Sequence, residues 1–184
     1  MATDPRPQLT HCALVVEDLA LMEAFYTTVM GFTVTDRGTA MRSGGQMVFM
    51  SNSPDEHHQF VLADGRPKDV NFRLIGQLSF LVESLDEVRA IHDRVMARDD
   101  GEMLRTTTHG NAWSIYFPDP EGNTIEVYTH TPWYIPQPHA VPFDITLSNA
   151  EIHRFTEEHC REDPGFKSAG ERQAEMREMM GLTG

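Results

Sequence analysis

The chain has 184 residues, 40% of them hydrophobic, with 28 acidic against 15 basic side chains and a net charge of −13. That length suits one domain or two small fused modules and buries a core without staples. The acidity excludes a nonspecific nucleic-acid binder, which needs a basic face to displace counterions, and docking on anionic lipid, and no stretch approaches the ~20 apolar residues of a membrane span.

In chain order, residues 1–8 hold two prolines and no apolar core, so no signal peptide is expected there. Thr10-His11-Cys12-Ala13-Leu14-Val15-Val16-Glu17-Asp18-Leu19 reads as a buried strand entering an acidic turn. A helix is predicted over residues 19–30, where Leu19, Met22, Phe25 and Tyr26 recur at helical spacing and Gly31 closes it. Strands are expected at 32–35, 46–50 and 58–62, separated by Gly44-Gly45 and Ser53-Pro54-Asp55. The pattern then repeats with an offset of 66 residues, carrying His11 onto Gln77 and Pro54 onto Pro120. The second copy predicts a helix over 85–97, marked by Leu85, Val88, Ile91 and Val95, and strands at 103–107, 113–117 and 124–128. After Thr131 the prolines 132, 136, 138 and 142 mark an extended arm. A helix is expected from Ser148, with Glu151 completing a capping box, to a point before Pro164, and a polar helix over 171–180. The expected fold class is therefore α+β: two tandem βαβββ modules, 8–64 and 74–131, forming one domain over 8–131, then an extended arm and helical tail over 132–184.

The repeat places His11 and Gln77 at equivalent strand starts and makes Phe60 the counterpart of Glu126. Strand alternation puts Thr124, Glu126 and Tyr128 on one face and His58, Phe60 and Leu62 on another. Modules packed about a pseudo-twofold would bring His11, Gln77, Glu126 and His58 into one cleft. An imidazole, an amide and a carboxylate there suit a divalent metal with open positions. Glu126 lies in an otherwise apolar strand, where a buried carboxylate needs a compensating charge. Cys12 and Cys160 give no disulfide pattern, which fits a reducing, cytoplasmic setting.

The opening strand, Phe25-Tyr26 and Met30-Gly31-Phe32, together with the closing run Tyr116-Phe117-Pro118-Asp119-Pro120-Glu121-Gly122-Asn123-Thr124-Ile125-Glu126, resemble the vicinal oxygen chelate superfamily of glyoxalases, bleomycin-resistance proteins and extradiol dioxygenases. Glu56-His57-His58-Gln59-Phe60-Val61-Leu62 and His109-Gly110-Asn111 most resemble type I extradiol dioxygenases. The resemblance implies a metal held by His11, Gln77 and Glu126, with Gln77 standing where that family has histidine. Fe(II) is the implied metal, with Mn(II) or Zn(II) as alternatives. It implies catalytic roles for His58 as acid–base, Tyr116 as hydrogen-bond donor to substrate, and His109 behind them. The implied activity is ring cleavage of a small catecholic substrate by an oxidoreductase. Trp113, Phe60 and Phe80 are the expected apolar wall, and a homodimer is the expected assembly. The alternatives are an isomerase, epimerase or lyase on another vicinal-oxygen substrate, or a metal-free protein that binds a small aromatic compound.

Overall fold

Cys12, Leu14 and Val16 alternate with His11, Ala13 and Val15, and this two-residue period makes β1 (Cys12–Val16), whose first set turns inward. The computed structural model describes residues 7–41, 44–69 and 75–182. The signal-peptide reading of residues 1–8 therefore falls largely outside the described residues, as does residue 74 at the expected start of module two.

Asp18 caps the next element by accepting the Leu21 N–H at 2.9 Å, and α1 (Leu19–Thr28) follows, burying Met22, Phe25 and Tyr26. Gly31, at φ +75°, takes the chain out of the helix in a conformation that favours glycine. Then come β2 (Thr33–Thr39), β3 (Gln46–Ser51) and β4 (Phe60–Asp64). The same order returns as β5 (Leu78–Leu81), α2 (Leu85–Met96), β6 (Arg105–Thr108), β7 (Ala112–Pro118) and β8 (Thr124–His130). The arm and tail supply β9 (Trp133–Tyr134), β10 (Val141–Pro142), α3 (Asn149–Arg161), β11 (Lys167–Ser168) and α4 (Ala169–Met179). The protein is thus of mixed α+β class, with the βαβββ order present twice.

The chain divides into two compact units. The first comprises the residues before Ile75 together with the turn Asp119–Gly122. Its sheet has the order β1-β4-β3-β2, with β1 parallel to β4. α1 covers one face, and Tyr26 packs its ring 4.5 Å from that of Phe60. The turn is fastened within this unit. Tyr26 donates its hydroxyl to Asp119 at 3.2 Å, and Glu121 accepts the backbone N–H groups of Glu17 and Asp18 at 2.6 and 2.9 Å while pairing with Arg66 at 3.1 Å.

The second unit has the order β10-β6-β7-β8-β5, the same topology with β10 added at the edge. Ile115, Phe117, Ile125 and Val127 form one face of its sheet, and the buried stripe of α2 (Leu85, Val88, Ile91, Val95) packs on β7 and β8. α3 opens with the expected capping box at Ser148 and Glu151, and Trp113 donates its indole N–H to Thr156 of that helix at 2.8 Å. The expected polar helix is α4, with its own box at Ser168 and Glu171 and no buried residue.

Register corrects one expectation. β1 pairs Cys12 with Phe60 and Ala13 with Val61, whereas β5 pairs Leu78 with Ile125 and Ser79 with Glu126. The counterpart of Glu126 is therefore Val61, not Phe60. The second copy is one residue shorter between its first and last strands, and a one-residue slip changes the face of every side chain.

Candidate metal and substrate site

The sheet of the second unit carries one polar row. Register sets Arg105 opposite Tyr116, Tyr116 opposite Glu126, and Glu126 opposite Ser79, so four neighbouring strands present these side chains side by side. Glu126 is 8% exposed, and its flanks Ile125 and Val127 point into the opposite, apolar face. Ser79 donates to Glu126 Oε2 at 2.5 Å, Gln77 donates its amide Nε2–H to the same oxygen at 2.8 Å, and Tyr116 donates its hydroxyl to Oε1. His109 Nε2 stands 2.8 Å from the Tyr116 hydroxyl and 3.9 Å from Glu126. Burial, followed by the bond to and charge of Glu126, pushes the Tyr116 hydroxyl up to about 12. The guanidinium of Arg105 lies over the Tyr116 ring at 3.7 Å.

The first unit gathers a second set. His11 is exposed at the head of β1, and its ring lies 4.6 Å from that of His58. His57 and His58 approach through their Nδ1 atoms at 2.9 Å, and Phe49 packs edge-on against His58 at 5.3 Å. Burial, then the neighbouring His11 and His57, holds the His58 imidazole below its ordinary value, with Glu56 opposing.

The donor set fits a divalent metal. Glu126 is met by three neutral donors, two on Oε2 and one on Oε1, which leaves one lone pair of Oε1 open. Gln77 points its amide N–H at the carboxylate, the arrangement that stabilises an anion, and a half-turn of the amide presents Oε1 as a ligand instead. A carboxylate and an amide oxygen are hard donors suited to such a cation. Among the described residues, no group of three or more His, Cys, Asp or Glu side chains is gathered in metal-holding geometry; the expected set relies on the amide of Gln77, a different donor type.

The structure brings Gln77, Glu126, Tyr116 and His109 together in one unit and His11 with His58 in the other. His58 reaches His11 for a reason other than the one expected. Phe60 and Leu62 face the core, and His58 precedes β4, so strand phase does not govern it. The expected apolar wall fails for a related reason. Trp113 lies on the opposite face, against α3, and Phe60 is buried against Tyr26 and Phe32. Phe80, adjacent to Ser79 on β5, alternates away from the polar row. Ser79 and Arg105, which touch Glu126 and Tyr116, are not among the residues that the sequence singles out. Parallel pairing of the first and last strands of a module, applied to Glu126, would have found Ser79.

The βαβββ order occurs twice, and the second copy carries a nearly buried carboxylate with three donors on one sheet face. The chain belongs to the Glyoxalase/Bleomycin resistance protein/Dioxygenase superfamily, whose family model matches residues 8–127. Among solved structures it is similar to a glyoxylase/bleomycin resistance protein/dioxygenase domain from Frankia sp. EAN1pec, at TM-score 0.59 and 21% identity over 69% of this chain and 94% of that one. It is similar to a variant of the fosfomycin resistance protein FosX from Listeria monocytogenes complexed with Mn(II) and 1S,2S-dihydroxypropylphosphonic acid, at TM-score 0.55 and 21% identity over 69% and 95%. It also resembles FosX from Mesorhizobium loti, at TM-score 0.53 and 22% identity over 69% and 94%. No curated protein matches the chain. No helix among the described residues is long and apolar enough to cross a membrane.

Proposed function

We propose that the protein is a metal-dependent extradiol-type dioxygenase that opens the ring of a small catecholic substrate. The ligands are His11, Gln77 and Glu126, with Fe(II) as the metal and Mn(II) or Zn(II) as alternatives. The observation that carries this reading is Glu126: a nearly buried carboxylate held by Tyr116, Ser79 and Gln77, with an imidazole directly behind the phenol. The metal, when bound, supplies a Lewis-acid centre for two adjacent substrate oxygens. The residues do the rest. Tyr116 holds one hydroxyl hydrogen between Glu126 Oε1 and His109 Nε2, and turning it outward gives a donor for a substrate oxygen. His58, kept neutral at pH 7 by burial and its imidazole neighbours, accepts the proton that a diol loses on binding. Val61 at the position matching Glu126 offers no fourth ligand, which favours this open three-ligand set over a glyoxalase-type one.

A second reading draws support from FosX, which has been captured with Mn(II) and a vicinal diol phosphonic acid: an enzyme of another vicinal-oxygen chemistry, with the same ligands. One experiment separates the two. The protein is purified anaerobically, loaded with Fe(II) or Mn(II), assayed for metal, and given catechols with oxygen while the yellow ring-fission product is followed. Stoichiometric metal and a yellow product are expected, and His58→Ala should keep the metal but lose roughly 10²–10⁴-fold in turnover. Metal without ring fission supports the second reading. No metal after loading overturns both and leaves a metal-free binding protein.

A further inference from the structure

We propose that the proline-rich arm is a working part of the site: residues 137–139 fix which nitrogen of His109 faces Tyr116. The arm begins beyond the family-matched residues 8–127, and the FosX and Frankia likenesses cover 69% of this chain against about 95% of theirs. Covering the open edge of the sheet needs only the pairing of β10 with β6, Val141 to Thr108 and Pro142 to Thr107. The arm does more than that. His109 Nδ1 lies 2.7 Å from the His139 carbonyl oxygen, which can only accept, so Nδ1 carries the hydrogen. Gln137 donates its amide N–H to the His109 carbonyl at 2.7 Å and accepts the His139 N–H at 3.1 Å, closing a ring of bonds around the imidazole's own backbone.

The loop after His109 is fitted to the arm independently of those bonds. Gly110 has φ +76°, and a Cβ there would lie 2.5 Å from Ile135 and 3.1 Å from Cys160 Sγ. Thr131 donates its hydroxyl to the Gly110 carbonyl at 2.7 Å. Arm and α3 thus hold residues 109–110 from three sides. With Nδ1–H committed to His139, Nε2 of the neutral ring is an acceptor turned to the Tyr116 hydroxyl, whose single hydrogen then divides between Nε2 and Glu126 Oε1, and the partner of one ring nitrogen decides the role of the other. Gln137 and the His139 backbone are positioning groups; Tyr116 and His109 are the groups they serve. The consequence for turnover rests on the proposed function, whereas the placement of the hydrogen does not.

The test uses the full chain, metal-free and labelled with 15N-histidine, with long-range proton–nitrogen correlations recorded where the imidazoles are neutral. His109 is assigned by the signals lost in His109→Asn. The native chain should show His109 protonated at Nδ1, and Gln137→Ala, a change at an exposed side chain, should give a mixture of tautomers. Gln137→Glu, which keeps the acceptor for His139 but removes the donor to His109, should do the same. An Nε2–H tautomer in the native chain, or an unchanged Nδ1–H tautomer in both variants, overturns the proposal. With metal and a catechol, Gln137→Ala should lower kcat roughly 10–100-fold with KM little changed. A mixed tautomer with undiminished ring fission overturns the positioning role. If the native chain opens no ring, the dioxygenase reading fails, and the tautomer result still decides whether the arm sets His109.

Discussion

His58 sits among groups that mostly disfavour its proton. Burial acts most strongly, the two neighbouring imidazoles follow, and Glu56 opposes them. The folded chain therefore protonates His58 below the value of about 6.5 that the unfolded chain shows. Below that pH the unfolded state takes up this proton first, so His58 subtracts from stability as the pH falls and costs nothing above it. A nuclear magnetic resonance titration should give His58 a midpoint under 6.5, and His57→Ala should raise it by removing one of the depressing neighbours. A midpoint that does not move in the variant would show that His57 contributes nothing. At this scale the sequence was a good guide to residue type and a poorer one to direction. Glu126 announced itself as a carboxylate in an apolar strand. Strand phase does not reach His58, which meets His11 because the chain ahead of β4 is free of that alternation.

Element by element, the periods of the chain transferred well: both helices of the repeat and all six strands following them occur within a few residues of expectation. Register was the illegible part, because it depends on which strand lies alongside which, and composition does not encode pairing. Trp113 shows the consequence. The resemblance implies a place for it in the pocket wall, yet its position on β7 turns it to the face covered by α3, where its indole N–H meets Thr156. That bond is buried, so Thr156→Val keeps the shape and strands a donor, at a cost of about 1–3 kcal/mol. For a chain of this size each kcal/mol is worth roughly 2–4 °C in Tm. Thr156→Ser, which keeps the hydroxyl, should recover much of the loss. Equal melting of the Val variant and the native chain would mean that Trp113 is held by packing alone, against Trp133 and His153.

Across the whole molecule, one row has diverged between the two copies of the repeat. The second copy reads Ser79, Glu126, Tyr116, Arg105, and the first reads Ala13, Val61, Phe49, Asp36 in the same register. Three of the four positions that are polar in the second copy are apolar in the first, so one copy holds a carboxylate with donors around it and the other fills the place with hydrocarbon. Burying Glu126 is costly unless something gains from its charge. Glu126→Gln tests what gains. Its single amide oxygen replaces only one carboxylate oxygen, so either Tyr116 on Oε1 or Ser79 and Gln77 on Oε2 lose their acceptor, and the metal-free variant's own melting point is the baseline for any metal shift. Mn(II) at about a hundred times its Kd stabilises a site by about 2.7 kcal/mol, a rise of roughly 5–11 °C at this chain length. The native protein should show that rise and Glu126→Gln should lose it. A native chain indifferent to Mn(II), Fe(II) and Zn(II) would mean that Glu126 serves Tyr116 and His109 alone, and the pocket would then be a binding site without a metal.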